Sequence, residues 1–394
     1  MPKVAIVRCD SYDDRAVKEA VGEAIRLCLG PDWTRGVKVP VLLKPNVLNP
    51  SRPQDGVCTH PAVLKAVIGL FREAGVRDLA VGDSSGGAGI RPATDQALEV
   101  SGLAAVGREM GVKVLSFDRE TAVGVPNPRG PEFPRLTLAK PALDAGWLVN
   151  IPKFKTHALT TLTATVKNLF GTVPGAAKRE CHRRNPSIGA FANALVDIYA
   201  AVRPSFHIVD AIVAMEGEGP SGGPLRNLGL IVAGADGVAV DAVLAAIIGL
   251  DPFKVPTTRA AAGRGLGEGD LSRIEVVGTP IADVRAKRFR LPVAGVIARH
   301  APAGLTRAAL GFMVTRPAFI DSKCNRCATC VKSCPVEAMS VTKDGPVPQV
   351  DDAKCISCFC CHELCPHQAV YVRWRNPVTR FLLGGAGRGA TRAH

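Results

Sequence analysis

CNRCATCVKSCP (residues 324–335) and CISCFCCHELCP (residues 355–366) state one pattern twice. The first reads Cys324-x2-Cys327-x2-Cys330-x3-Cys334-Pro335, the second Cys355-x2-Cys358-x2-Cys361-x3-Cys365-Pro366. Every position recurs 31 residues later, and Ala338 and Val341 are echoed by Ala369 and Val372. This is an internal duplication. Thiolates are soft, negatively charged ligands, so eight of them in two tight loops point to a soft, positively charged centre for each half.

The spacing is similar to that of bacterial ferredoxins with two [4Fe–4S] clusters, where three cysteines wrap one cluster and the fourth, before proline, reaches the other. It therefore assigns Cys324, Cys327, Cys330 and Cys365 to one cluster, and Cys355, Cys358, Cys361 and Cys334 to the second. Zinc also takes thiolate sets, but usually as two CxxC pairs, and the doubled eight-cysteine pattern fits that poorly.

Working outward, 394 residues leave room for a large body ahead of the ferredoxin unit. Hydrophobic residues at 47%, few aromatics at 5%, and abundant Gly and Ala suit close-packed α/β layers and exclude a disordered chain. Five of the 13 cysteines lie outside the pattern: Cys9, Cys28, Cys58, Cys181 and Cys360. Thiolate-held clusters imply a reducing compartment, so these are expected as free thiols, the first three as small buried hydrophobes. The opening MPKVAIVRCD lacks signal-peptide architecture. The longest apolar run, Leu228 to Leu250, is broken by Asp236 and Asp241, so a cytoplasmic protein without a transmembrane helix is expected.

The formal charge is +14 and unevenly spread. Residues 279–319 hold Arg285, Lys287, Arg288, Arg290, Arg299, Arg307 and Arg316 against Asp283 alone, and the 374–394 tail is Arg-rich without acid. Both flank the ferredoxin unit. They read either as a solvated linker and tail, or as a surface for an acidic redox partner or for peripheral contact with anionic lipid. No helix-turn-helix, zinc-finger or aromatic-platform pattern accompanies the charge, so nucleic acid is not expected.

Residues 1–278 alternate strand-like and helix-like runs. VAIVR (4–8), VPVLLKPN (39–46), DLAVG (78–82), VKVLSF (112–117), WLVNIP (147–152), FHIVDAIVAM (206–215), LGLIVAG (228–234) and IEVVG (274–278) read as strands. Helices are expected over Asp13 to Leu29, after Thr59 as cap with Pro61 in the first turn, near Ala93 to Met110, within Thr160 to Phe170, over Ile188 to Val202, and over Val238 to Ile248. Thr121 to Pro134 reads as a loop. The rhythm predicts an α/β body, a mostly parallel sheet with helices on both faces, followed by a small α+β two-cluster ferredoxin domain over 320–373.

Ligands of such sheets sit at the carboxyl ends of strands. Four stretches there carry chemistry. Lys44-Pro45-Asn46 follows a buried strand, and Thr59-His60-Pro61 comes after. Gly82-Asp83-Ser84-Ser85-Gly86-Gly87-Ala88-Gly89 reads as an anion-binding turn or a plain flexible loop; it matches no nucleotide fingerprint. Asn150-Ile151-Pro152-Lys153-Phe154-Lys155-Thr156-His157, with Thr163, Lys167, Asn168, Gly171 and His182, reads as a cationic pocket for a carboxylate or phosphate, the alternative being an exposed basic loop. Asp210 and Met215-Glu216-Gly217-Glu218-Gly219-Pro220 supply carboxylates for proton transfer or metal binding, while Asp241 alternatively serves the first turn of its own helix.

The phrases VLLKPN (41–46), THP (59–61), VGDS (81–84), NIPKFKTH (150–157), TATVKNLFG (163–171), VDAIVAMEGEGPSGG (209–223) and DGVAVDA (236–242) together resemble domain-of-unknown-function family 362, whose members commonly carry a C-terminal two-cluster ferredoxin. The resemblance implies an iron–sulfur protein of undefined activity. A fold similar to the N-terminal part of lactate-racemase-type nickel enzymes, which also use Lys and His in an α/β pocket, is a further resemblance.

Three functions follow as expectations. In an oxidoreductase, Lys153, Lys155, His157, Lys167 and His182 hold an anionic substrate, Glu216 or His157 moves protons, Lys44, Asn46, Asp83, Ser84 and Asn168 contact a cofactor, and the clusters relay electrons to or from a redox partner. A non-catalytic electron carrier would use the body for docking alone. A metal-dependent isomerase or transferase would place a non-iron metal on His157 and His182.

Overall fold

Continuous apolar runs become the buried strands. The protein is seen in a computed structural model that describes residues 1–86, 93–127, 130, 134–292, 314–342 and 345–377. In chain order the first half contains β1 (Lys3–Arg8), α1 (Asp14–Leu29), β2 (Val41–Pro45), α2 (Pro61–Glu73), β3 (Leu79–Asp83), α3 (Ala93–Val100), α4 (Leu103–Met110), β4 (Lys113–Ser116), β5 (Ala122–Pro126), β6 (Arg135–Ala139), α5 (Lys140–Asp144) and β7 (Trp147–Ile151). Then come β8 (Lys153–His157), β9 (Thr161–Thr163), α6 (Thr165–Asn168), α7 (Ala177–Arg184), α8 (Ile188–Val202), β10 (Phe206–Met215), β11 (Leu225–Gly234), α9 (Gly237–Ile247), α10 (Pro256–Gly263), β12 (Glu275–Gly278) and α11 (Ile281–Val284). The C-terminal unit holds β13 (Thr315–Phe319), α12 (Thr329–Lys332), β14 (Met339–Ser340), β15 (Gln349–Val350), α13 (Cys360–Glu363) and β16 (Val370–Trp374).

The main sheet runs β12-β1-β11-β10-β7-β2-β3-β4, with β8 beside β10 and β9 beside β8. β11 is antiparallel to both its neighbours and β9 to β8, while the remaining pairings are parallel. Side chains alternate across each strand. Ala5 and Val7 therefore join α1, α2 and α4 on one face, while Val4 and Ile6 join α9 on the other; α8 packs further along that second face. Helices cover both faces, as the sequence predicts.

Pro152 divides one extended stretch into two strands. β7 pairs with β2 and the base of β10, and β8 continues further along β10 with Lys153 opposite Asp210. Proline has no N–H for the ladder, so the chain changes neighbour there. The period of two then puts Lys153, Lys155 and His157 on one face of β8, all buried.

Several local expectations need correction. The 93–110 helix is two helices, because Gly102 adopts a left-handed φ of 78° between them. The segment expected as a loop contains β5, paired with β6 because Leu136 and Leu138 bury against the second-face core. Thr59 does not cap α2. His60 does, its Nδ1 accepting from Ala62 N, while the Thr59 hydroxyl bridges Asn46 N and Ile151 O. Asp236, not Asp241, caps α9; Asp241 reaches across to accept from Thr165 N and Val166 N at the start of α6.

The stretch read as a basic linker begins as a strap on the body. Ile281, Val284, Ala286, Phe289 and Leu291 interleave with its basic residues and pack on the core, with Phe289 stacked 6.2 Å from Phe154. Arg299 and Arg307, and the tail beyond residue 377, lie outside the described residues. No described helix is long and apolar enough to cross a membrane.

In the C-terminal unit β13 pairs antiparallel with β16 and β14 with β15. The duplication extends to the backbone. Left-handed non-glycine residues occur in equivalent pairs: Arg326 and Ser357 (φ 58° and 55°), Ala328 and Phe359 (58° and 59°), Glu337 and Gln368 (52° and 49°). Such conformations cost energy, so their repetition marks two loops bent around the same kind of centre.

Candidate functional site

Cys324, Cys327, Cys330 and Cys365 line one small cavity with Phe319 and Val370. Cys361 is surrounded by Cys358, Cys330, Cys355 and Cys334, and burial followed by these neighbours pushes its thiol well up. Cys330 is pushed up to about 12 by burial and then by Cys365, Cys327 and Cys324. Thiols packed this way resist ionisation unless a cation compensates them, which fits a metal centre. Among the described residues, no three His, Cys, Asp or Glu side chains converge on a single-ion site. Ala338 N and Ala369 N donate to Cys334 Sγ and Cys365 Sγ at 3.2 and 3.3 Å, again as an equivalent pair. Amide bonds of this kind tune cluster potential.

The two cysteine loops differ in surroundings. Cys327 is exposed at the outer side, next to exposed Asn325 and Arg326. The second loop is turned inward. Its helix α13 enters the body: Asn49 Nδ2 donates to Glu363 O (2.9 Å), Ser221 Oγ donates to His362 O (3.1 Å), and Glu363 Oε1 lies 2.8 Å from His157 Nε2. Arg179 Nη1 adds a bond to Lys332 O at 3.2 Å.

Glu363 thus puts a buried carboxylate among the body's cations. His157 Nδ1 accepts from Leu159 N and Thr160 N at 3.1 and 3.3 Å, so in the neutral ring Nε2 carries the hydrogen and faces Glu363. Burial lowers the His157 pKa, with Lys167 adding to the effect. Burial would raise the Glu363 carboxyl, yet His157 and Lys167 hold it below the usual carboxylate range. His182, stacked on Phe191 at 4.4 Å, is pulled down to about 4, first by burial.

A small cleft lies where the two units meet. Its walls are Asn46, Asp83, Ser84, Lys167, Asn168, Phe170, Lys178 and His182 from the body, and Ser333, Cys360, Glu363 and Leu364 from the ferredoxin unit. Six of the expected body residues are therefore brought together there: Asn46, Asp83, Ser84, Lys167, Asn168 and His182. The others take different places. Lys44 is spent on Asp83 (2.8 Å) and Pro45 O (3.0 Å), behind Gly171. Lys153 bonds Asp210 (2.9 Å) and the Tyr12 hydroxyl (2.5 Å). Lys155 donates to Val57 O, and burial draws its ammonium down to about 7. Glu216 accepts from Arg290 Nε at 2.7 Å, away from the cleft, so the carboxylate facing His157 is Glu363. No third ligand joins His157 and His182 in a single-ion site among the described residues.

The glycine-rich turn does not offer free amides in its described part. Ser84 N donates to Asp83 and Gly171 O, Ser85 N to Thr94, and Gly86 N to Leu48 O. Its backbone instead lets Leu364 approach, since a Cβ on Gly86 would lie 2.8 Å from Leu364 Cδ2. Gly87, Ala88 and Gly89 are outside the described residues.

Sequence reading missed Glu363, His362 and Lys178. Lys178 bridges Ser84 Oγ (2.9 Å) and Ser85 O (2.8 Å), and burial lowers it to about 8. One signal for Glu363 was present. Under the 31-residue offset its counterpart is Lys332, a reversal of charge inside an otherwise repeated motif.

The chain belongs to the family described as "Domain of unknown function (DUF362)", whose model matches residues 41–246, and residues 316–366 match a 4Fe-4S dicluster domain. It is an iron–sulfur protein by that match. It is 36% identical over 227 residues to the Thylakoid-associated protein sll1697 of Synechocystis sp., covering 57% of this chain and 68% of the relative. Among solved structures it is similar to the lactate racemase apoprotein from Thermoanaerobacterium thermosaccharolyticum, with a TM-score of 0.37 and 13% identity, over 60% of this chain and about half (54%) of that one.

Proposed function

We propose that this DUF362 protein is an oxidoreductase, cytoplasmic and supplied by a redox partner, whose ferredoxin unit exchanges electrons with a small anion in the cleft between the units. Cys324, Cys327, Cys330 and Cys365 hold one [4Fe–4S] cluster; Cys355, Cys358, Cys361 and Cys334 hold the other. When bound, the clusters supply one-electron chemistry. The observation that carries the reading is that the second cysteine loop is itself a wall of the cleft, through Cys360, Glu363 and Leu364. The outer loop, with Cys327 exposed, is the face a redox partner can reach.

The chain's own residues do the rest. Lys167 offers positive charge to an anion, and His182 and Asn46 present ring and amide beside it. Glu363 fixes the His157 ring with its hydrogen on Nε2, and Leu48, Phe170 and Leu364 limit water. A low local dielectric strengthens each of these interactions.

The test begins with protein purified without oxygen. About eight irons per chain are expected. Stopped-flow reoxidation of the reduced protein by a panel of small organic anions should find at least one that Lys167→Met slows more than tenfold. About four irons or fewer, or reoxidation indifferent to Lys167→Met for every anion, overturns the proposal.

A further inference from the structure

Three asparagines fix what the cleft ligand must bring. Asn150 Nδ2 donates to Thr165 O at 2.9 Å, a backbone carbonyl that can only accept. Asn150 Oδ1 is therefore the acceptor for Asn168 Nδ2 at 2.7 Å, and that same Nδ2 lies 3.3 Å from a second carbonyl, Pro45 O. Asn168 Oδ1 must then accept from Asn46 Nδ2 at 3.0 Å. Amide orientation is settled by such networks. The chain of amides leaves the carbonyl oxygen of Asn46, a residue lining the cleft, buried and without a partner among the described residues. His182 Nδ1, on the same cleft, is likewise buried and unpartnered.

The cation beside them is also unspent. Lys167 makes no hydrogen bond or ion pair among the described residues; its Nζ sits 5.8 Å from the Phe170 ring centroid. Lys178, by contrast, uses its donors on the Ser84 hydroxyl and carbonyl and on Ser85 O. A buried acceptor left unpaired is costly, so a fitting ligand answers both groups at once.

We infer that the cleft binds a small organic anion that also carries a hydroxyl or amine hydrogen-bond donor, its anionic group on Lys167 and its donor on Asn46 Oδ1. Glu363 strengthens the orientation, since its carboxylate occupies the His157 side and leaves Lys167 as the anion's place. A simple carboxylate of the same size satisfies Lys167 but strands the Asn46 oxygen. The free space admits only a few non-hydrogen atoms. This inference rests on the cleft being the substrate site and narrows the class of substrate.

The experiment is equilibrium binding to the full chain with its clusters oxidised, so it fails or succeeds independently of electron transfer. Glycolate and acetate form a pair of small carboxylates that differ in the hydroxyl donor; sulfate is an anion without one. Titration calorimetry at millimolar ligand should show glycolate binding about tenfold or more tighter than acetate or sulfate. Asn46→Ala should abolish that preference while leaving acetate binding within about twofold, and Lys167→Met should weaken both carboxylates. Equal affinity of glycolate and acetate in the unsubstituted protein overturns the inference without any variant. So does a preference that persists in folded, iron-replete Asn46→Ala, or the absence of any anion binding at 50 mM, a concentration chosen as about the weakest range worth measuring.

Discussion

Replacing Glu363 with alanine should loosen the protein by about 3 kcal/mol. The carboxylate is buried, 2.8 Å from His157 Nε2. Because His157 Nδ1 already accepts two backbone N–H groups, its hydrogen must sit on Nε2. Removing Glu363 leaves that N–H without its acid, at about 1–3 kcal/mol for a stranded buried donor. Because the site is fully enclosed, the upper end of that range applies, about 3 kcal/mol, or about 100-fold in the unfolding equilibrium. Glu363→Gln keeps an acceptor oxygen and should cost only about 1 kcal/mol. Urea unfolding followed by tryptophan fluorescence, on preparations matched for iron, reads both. The wild-type advantage over Glu363→Gln should persist above about pH 4.3, the ordinary glutamate value, and fade as pH falls through the depressed folded value. If Glu363→Ala unfolds at the wild-type urea midpoint with iron matched, the carboxylate does not hold the two units together and the reasoning fails.

Two further outcomes are expected. Burial holds the Lys155 ammonium near 7, while an unfolded lysine titrates near about 10.4; between those values the unfolded chain binds more protons, so stability should rise with pH. Lys155→Met should remove that part of the rise, and thermal midpoints at pH 7.5 and 9.5 for both proteins check it; a gap between them that does not change with pH would contradict it. At Gly171 a Cβ would stand 1.9 Å from Asp83 Oδ1 and 2.6 Å from Lys44 Nζ, so Gly171→Ala should displace a buried ion pair. A loss of about 2–4 kcal/mol, seen as a thermal midpoint several degrees lower, is expected, and an unchanged midpoint would show that the pair has room to move.

The fold was legible where short-range signals carry it. Apolar runs bounded by turns located eight of the ten main-sheet strands, missing the polar β8 and β9, and eight cysteines at one spacing located the ferredoxin unit. The site was legible only as a neighbourhood. Sequence gives a lysine's position but not its counter-ion: Lys44 finds Asp83, Lys153 finds Asp210, and Lys167 keeps its charge for the cleft. Those differences arise from tertiary pairing across tens of residues, which no local pattern reports. The same holds for Glu216, whose partner Arg290 lies in a segment that looked like a linker until its apolar residues met the core. Glu363 was hidden because its role exists only once α13 docks in the body.

A duplicated unit has two faces of nearly the same shape, and so two ways to meet a partner. The halves of this one share their left-handed turns and their amide–sulfur bonds, yet carry Lys332 at one equivalent position and Glu363 at the other. Docked the other way round, the unit would thrust an ammonium toward His157 and Lys167, and burying like charges together costs several kcal/mol, on the order of about 3–5. A single sign change therefore acts as a key against backward assembly. It makes a nearly symmetric module polar, with Cys327 of one half exposed and Glu363 of the other set into the body.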